Sequence, residues 1–173
     1  MHTNYFTFLG LCLIGLAVRA SYELLKKTGK VNQKSNTVIA FVFAAMFLLL
    51  SSWCFMCPLD PWRISLPYIV KLSGLGMLIT GLGIALGGVI QLRGVENIDH
   101  LVTRGLFSRI RHPMYTGFIL WILGWVTYYG AGVSLIVGLV CIGNILYWRQ
   151  IEEVDLLSDY GETYLGYRMR TWF

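Results

Sequence analysis

Charged residues are absent from four long stretches of this 173-residue sequence, and their absence constrains the fold more than any other feature. No Asp, Glu, Lys or Arg occurs in residues 1–18, 35–59, 72–92 or 112–148. A helix that crosses a bilayer needs about 20 largely apolar residues. The first three stretches therefore fit one span each, and the fourth, with 37 residues, fits two. The pattern predicts an all-α polytopic membrane protein with about five transmembrane helices.

The low charge content excludes most other classes of protein. Only 13% of the residues are charged, whereas soluble domains average about 25%. Soluble folds, collagen, disulfide scaffolds and disordered tails are inconsistent with this composition. A cleavable signal peptide over residues 1–20 would need a positively charged start, and Met1-His2-Thr3-Asn4 supplies none. We therefore expect this segment to be a retained helix.

The apolar stretches and the turn residues between them predict where the helices lie. Pro113 fits the first turn of a helix, where its missing N–H costs nothing. A tight hairpin at residues 129–132 would make the last two helices antiparallel neighbours. All five helices are expected to form one membrane-embedded domain, residues 1–173, and are predicted at residues 4–25, 36–57, 67–92, 113–129 and 131–157.

Lysine and arginine residues alternate between the predicted connections and thereby predict the orientation. Four lysines follow the first helix, only Arg63 follows the second, and four arginines follow the third. The hairpin carries none, and the tail has three arginines. Since positive charge is retained on the cytoplasmic side, the N-terminus is predicted outside and the C-terminus in the cytoplasm. The net charge of +5 is thus a topology signal, and no motif indicates nucleic-acid binding.

Small residues are interpreted as packing residues. Cys54 and Cys57 form a CxxC pair, but a structural zinc site needs four ligands and no further Cys or His lies nearby in sequence. We therefore predict no metal site and an apolar packing role for the cysteines. Small residues at spacings near four let transmembrane helices approach closely. The third helix is crowded with such residues, namely Gly74, Gly76, Gly81, Gly83, Gly87 and Gly88.

Polar residues cluster at one end of the predicted hairpin. Residues 99–117 lead into the fourth helix, and residues 149–164 leave the fifth. Because the two helices are antiparallel neighbours, both segments must converge at one membrane face. Two adjacent carboxylates, Glu152 and Glu153, lie just beyond the apolar stretch, with Arg149 about one turn earlier. Together these residues predict a functional site at the cytoplasmic face.

The motifs in these segments resemble a known family. The pattern L-V-T-x-G-x-F-x-x-x-R-H-P-M-Y-T-G begins at Leu101, E-E follows at residues 152–153, and Y-G-E-x-Y spans residues 160–164. This arrangement is similar to the isoprenylcysteine carboxyl methyltransferase and phospholipid methyltransferase superfamily of integral membrane enzymes. The resemblance covers residues 91–167, which would form the cofactor-binding part of the domain.

The resemblance implies an S-adenosyl-L-methionine-dependent methyltransferase acting on a lipidic or hydrophobic acceptor, such as a prenylcysteine-type carboxylate. In carboxyl-methylating relatives an arginine shortly before the glutamate pair orients the acceptor. Arg149 is the candidate for this catalytic role, although Trp148 occupies the expected position. At Phe107 relatives commonly have a tyrosine. The cofactor-binding residues implied are Gln91, Asp99, His100, Leu101, Val102, Phe107, His112, Pro113, Met114, Tyr115, Glu152 and Glu153.

Two other functions remain open from the sequence. Membrane reductases of the steroid-reductase type have a comparable helical arrangement and bind NADPH from the cytosol, and Arg104, Arg109 and Arg111 are cations that suit its phosphates. A non-catalytic membrane subunit or a transporter is the alternative from a different class. The identity of the methyl acceptor and the oligomeric state are also left open.

Overall fold

Five long helices form most of the protein. The computed structural model describes residues 2–29, 35–92 and 101–173. Short 3-10 turns occur at Cys57–Leu59 and Gly105–Ser108, and no β-strand occurs within these three ranges. The helices are α1 (His2–Lys27), α2 (Asn36–Met56), α3 (Tyr68–Leu92), α4 (Pro113–Tyr129) and α5 (Gly132–Arg168).

The predicted all-α polytopic membrane fold is confirmed. Within the described ranges α1, α2, α3 and α5 are long and apolar enough to cross a membrane. Helix α4 has 17 residues, which is at the lower end of the range for a span, roughly 17–25 residues. About 20 residues suffice for a span, so the first part of α5, residues 132–151, can cross the bilayer. The polar residues from Glu152 onward would then extend beyond the hydrocarbon core.

The predicted helix boundaries hold to within a few residues except at the end of α5. This helix continues to Arg168 rather than ending near residue 157. Its backbone leaves helical geometry at Gly161, with φ 49° and ψ −126°. That left-handed value of φ is accessible to glycine because it lacks a Cβ. The polar end of α5 is therefore a helix interrupted at Gly161, with Tyr164 and Tyr167 beyond the interruption.

Helices α3 and α4 pack backbone against backbone along glycines at seven-residue spacing. These glycines are Gly74, Gly81 and Gly88 on α3, and Gly117 and Gly124 on α4. A Cβ added to Gly81 would lie 2.6 Å from the carbonyl oxygen of Gly117, and one added to Gly124 would lie 2.6 Å from that of Gly74. The predicted role of small residues in helix contact is thus confirmed for the glycines of α3 that face α4.

The connection between α2 and α3 is fixed by a buried carboxylate that the sequence did not single out. Asp60 is 4% exposed. It accepts hydrogen bonds from the backbone N–H of Trp62 (2.8 Å) and from the backbone N–H and hydroxyl of Ser134 (both 2.6 Å). A carboxylate at a helix N-terminus satisfies unpaired N–H groups and complements the helix dipole. Asp60 therefore holds the start of α5 against the α2–α3 connection.

The glycine contact between α3 and α4 predicts a sharp difference between two alanine substitutions on one helix. Gly81→Ala should destabilise the protein by about 1–3 kcal/mol, because the added methyl group would overlap α4 backbone atoms. Gly83→Ala is the matched control, since nothing lies within 4 Å of its added Cβ. Thermal unfolding in detergent micelles measures both. Equal unfolding temperatures for the two variants would contradict the close packing.

Candidate functional site

Two cavities lie at the end of the bundle where α4 begins. The first, the loop cavity, lies between the segment before α4 and the polar end of α5, and its lining is Leu92, Leu101, Val102, Phe107, Arg111, His112, Pro113, Met114, Tyr115, Glu152, Leu156, Tyr160, Tyr164 and Tyr167. The second, the helix cavity, lies between α1, α2, α4 and α5 and has a volume of about 410 Å³.

The helix cavity is mostly apolar. Its volume is within the range of small-molecule sites, about 300–1,000 Å³. Aromatic and aliphatic side chains from α2, α4 and α5 form most of its surface, including Trp53, Phe118, Trp121 and Trp148. Its charged residues are Arg19, Glu23 and Lys26 on α1 and Glu152 and Asp155 on α5.

The two cavities share three residues. Met114, Tyr115 and Glu152 line both of them. Tyr115 lies beside Glu152, so an aromatic ring from the first turn of α4 and a carboxylate from α5 form the boundary. Groups held in the two cavities would therefore meet at this boundary.

Glu153 connects the segment before α4 to the polar end of α5. Its Oε1 accepts a hydrogen bond from Nε of Arg111 (3.0 Å) and lies 2.8 Å from Nε2 of His112. Both partner side chains are buried, and the side chain of Glu153 is 12% exposed. Burial alone would raise the pKa of Glu153, but the His112 hydrogen bond and the Arg111 charge hold this pKa below its ordinary value. Glu153 is therefore ionised near neutral pH and engaged by partners.

Glu152 has a different environment from its neighbour. Its side chain is 45% exposed, and its Oε2 lies 3.4 Å from Nδ1 of His112. The two ring nitrogens of His112 thus face one glutamate each. Successive residues on an α-helix point about 100° apart, so Glu153 can be enclosed while Glu152 lines the cavities. Of the two carboxylates, Glu152 is the one available to a ligand.

Residues after α5 pair with the segment before α4. The backbone N–H of Arg111 donates to the carbonyl of Trp172 (3.0 Å), and the N–H of Trp172 donates to the carbonyl of Arg109 (2.7 Å). The hydroxyl of Tyr167 donates to the carbonyl of Phe107 (2.6 Å). These contacts tie the last turns of α5 and the residues after it to the segment before α4.

Most of the predicted cofactor-binding residues come together. Gln91 lines neither cavity, and its Oε1 instead accepts a hydrogen bond from the N–H of Leu106 (2.9 Å). Glu153 also lines neither. Asp99 and His100 lie outside the described residues. The predicted residues that line the loop cavity are Leu101, Val102, Phe107, His112, Pro113, Met114, Tyr115 and Glu152.

Arg149, the predicted catalytic residue, lines neither cavity. Its guanidinium lies 4.5 Å from the ring centroid of Phe173. A cation over an aromatic face is a favourable contact, so in this structure the side chain packs against the segment after α5. Its catalytic role stays a prediction.

Four lining residues of α5 were not among the predicted cofactor-binding residues, although two of them belong to the Y-G-E-x-Y motif. Leu156, Tyr160, Tyr164 and Tyr167 all line the loop cavity. Glu152, Leu156 and Tyr160 recur every four residues, which is the spacing of one helix face, and the other two follow the interruption at Gly161. This spacing could have identified Leu156 and Tyr160, the latter only once α5 was known to continue past residue 157.

The fold defines a multi-pass membrane protein, and its two cavities form a candidate ligand site at the polar end of its helices. The chain belongs to the phospholipid methyltransferase family, whose profile matches residues 71–163. The matched segment contains most of α3, all of α4 and most of α5, while α1 and α2 lie outside it.

The chain is similar to individual methyltransferases. Protein-S-isoprenylcysteine O-methyltransferase of Schizosaccharomyces pombe is 30% identical over 112 residues, which are 59% of this chain and 48% of the relative. The same enzyme of Rattus norvegicus is 28% identical over 133 residues, 70% of this chain and 47% of the relative. Methanethiol S-methyltransferase 2 of Bradyrhizobium diazoefficiens is 34% identical over 82 residues, which are 47% of this chain and 31% of the relative. The chain thus spans about half the length of the O-methyltransferases or less, and no solved structure matches it.

The Glu153 contacts predict a specific loss of stability. Glu153→Gln removes the carboxylate charge that Arg111 and His112 contact. The free energy of unfolding should therefore fall by about 1.5–3 kcal/mol. Asp159→Asn is the control, because Asp159 is an exposed acid on the same helix. Thermal unfolding in micelles compares them. A stability loss in Asp159→Asn equal to that in Glu153→Gln would indicate a general effect of charge.

Proposed function

We propose that this protein is an integral membrane methyltransferase that uses S-adenosyl-L-methionine to methylate a lipophilic acceptor. The observation that carries the proposal is that the loop cavity and the helix cavity meet at Met114, Tyr115 and Glu152. A methyl donor in the first cavity and an acceptor in the second would thus meet at one boundary. Membership of the phospholipid methyltransferase family and the named relatives support the same activity.

The residues that line the loop cavity suit S-adenosyl-L-methionine in their chemistry, although the cavity itself, at about 90 Å³, is smaller than the usual range of small-molecule sites. Leu101, Val102 and Pro113 are apolar side chains suited to the faces of adenine. The carboxylate of Glu152 is available for a cationic amino group, whereas that of Glu153 is engaged by Arg111 and His112. When bound, the cofactor would supply a methyl group on a sulfonium.

The residues of the chain would act mainly by positioning. Methyl transfer from a sulfonium is a direct displacement, so aligning donor and acceptor and excluding water provide most of the assistance. Met114 and Tyr115 form the boundary where alignment is needed, and Tyr115 is covered on one side by the stacked ring of His112, 5.6 Å away between centroids. The aromatic walls of the helix cavity suit a hydrocarbon part of the acceptor and exclude water.

No described contact favours the reductase alternative. A phosphate-rich dinucleotide needs free cations, but the guanidinium of Arg111 already contacts Glu153 and donates to the carbonyls of Arg168 (2.8 Å) and Thr171 (3.0 Å). Arg104 and Arg109 are exposed and line neither cavity. Methyl transfer is therefore the only function that we propose.

Cofactor binding tests the proposal directly. The purified protein should bind S-adenosyl-L-methionine, and Glu152→Gln should weaken binding about tenfold to a hundredfold, because a charged hydrogen bond is lost. Calorimetry in detergent measures the affinities, and Glu162→Gln, at an exposed acid beyond Gly161, should change little. Tight NADPH binding without methyl-donor binding would overturn the proposal, and binding of neither would favour a non-catalytic role.

We also propose that the site faces the cytoplasm, because lysine and arginine residues are concentrated in alternate connections between the helices and positive charge is retained on the cytoplasmic side. Reporter fusions after residues 30 and 100 should both report the cytoplasm, and a fusion at residue 62 should report the outside. A cytoplasmic signal at residue 62 would contradict this orientation.

A further inference from the structure

The α1 side of the helix cavity carries a charged cluster that the methyl-transfer proposal does not use. Arg19, Glu23 and Lys26 all line the cavity. Their spacing of four and three residues places them on one face of α1. Helix α1 lies outside the segment matched by the family profile. This cluster can therefore contribute to the specificity of the helix cavity.

Arg19 is held in a fixed position. Its guanidinium lies 5.3 Å from the ring centroid of Tyr22 and 5.0 Å from that of Trp148, and it forms an ion pair with Glu23. Its side chain is only 13% exposed. A planar guanidinium has five N–H donors, so the single described carboxylate partner does not exhaust its capacity. Arg19 can bind a second anionic group without first being ordered.

Arg19 lines the same cavity as a residue of the boundary. Arg19, Glu23 and Tyr115 all line the helix cavity, and Tyr115 also lines the loop cavity. Arg149, by contrast, faces Phe173 and lines neither. Of these two arginines, only Arg19 is placed to touch a molecule in the helix cavity.

The charged groups of the helix cavity are unevenly distributed, and only its α1 side has a positive balance that suits an anionic group. The α1 side has two cations and one anion, whereas the α5 side has two anions, Glu152 and Asp155. A cationic acceptor would also meet the positive sulfonium of the methyl donor, and like charges at close range repel. An anionic group would be attracted both to the α1 side and to the donor.

We infer that Arg19 determines acceptor specificity by binding an anionic group of an amphiphile whose hydrocarbon part occupies the rest of the helix cavity. This inference rests on the proposed function, because the molecule in the helix cavity is a methyl acceptor only if the protein is a methyltransferase. Glu23 would compete with the amphiphile for the guanidinium, because both present an anion to the same side chain. Arg149 has no part in this contact.

Equilibrium binding of matched probes tests the inference, with and without S-adenosyl-L-methionine. The probes are N-acetyl-S-farnesyl-cysteine, which carries a carboxylate, its neutral carboxamide, and S-farnesyl-cysteamine, which carries an amine. The protein should bind the carboxylate about tenfold to a hundredfold more tightly than the carboxamide. Arg19→Gln should abolish this preference, and Arg19→Lys should retain part of it because charge remains but the planar fork is lost.

Two further variants keep the test independent of the stability of Arg19→Gln. Glu23→Gln removes the competing carboxylate, so affinity for the carboxylate probe should rise while affinity for the carboxamide stays constant. Arg109→Gln, at an exposed arginine outside both cavities, should leave the preference unchanged.

Several outcomes would overturn the inference. The first is an unchanged carboxylate preference in a folded Arg19→Gln protein, or loss of that preference in Arg149→Gln instead. The second is tighter binding of the amine than of the carboxylate by the unsubstituted protein. The third is no gain in affinity for the carboxylate probe in Glu23→Gln. A carboxylate preference that depends on Arg19 in a protein that binds no methyl donor would support the inference about Arg19 and overturn only the proposed methyltransferase function.

Discussion

The carboxylate of Glu153 is the interaction on which the geometry of the candidate site most depends. It joins Arg111 and His112, which precede α4, to the polar end of α5. Because these partners engage Glu153, the neighbouring Glu152 is left to line the cavities. Glu153 thus has a structural role, while Glu152, the residue before it, has the proposed ligand-binding role, and the rotation of about 100° between successive helical residues separates them.

The glycine contact between α3 and α4 also fixes the geometry of this site, because it holds the start of α4 in place. Backbone atoms of the two helices touch at Gly81 and Gly117, with no side chain between them that could change rotamer. Met114, one turn before Gly117, packs near Gly88, so the first turn of α4 is held directly against α3. The boundary between the two cavities is therefore formed by residues whose backbone positions are fixed by close packing.

Much of this architecture could be predicted from the sequence, because a bilayer imposes simple rules on length and charge. The absence of charges indicated the number of helices, Pro113 marked the start of α4, and the short hairpin implied that two polar segments converge. The direction of each side chain could not be predicted in this way. Whether Arg149 faces a cavity or Phe173, and whether α1 contributes Arg19, depends on how separate helices rotate and pack. Local sequence does not encode these rotations.

Helix α5 has a fixed contact near each end of its apolar part: Asp60 bonds to Ser134 at one end, and Arg111 and His112 bond to Glu153 at the other. Glu153 follows Ser134 by 19 residues, which corresponds to about 29 Å along a helix. This length is close to the thickness of a typical hydrocarbon core, about 30 Å. A helix held at both ends cannot slide to adapt to a thicker or thinner bilayer. Hydrophobic mismatch would therefore be accommodated by tilting of the whole protein or by the lipid around it, and not by movement of α5 against its neighbours.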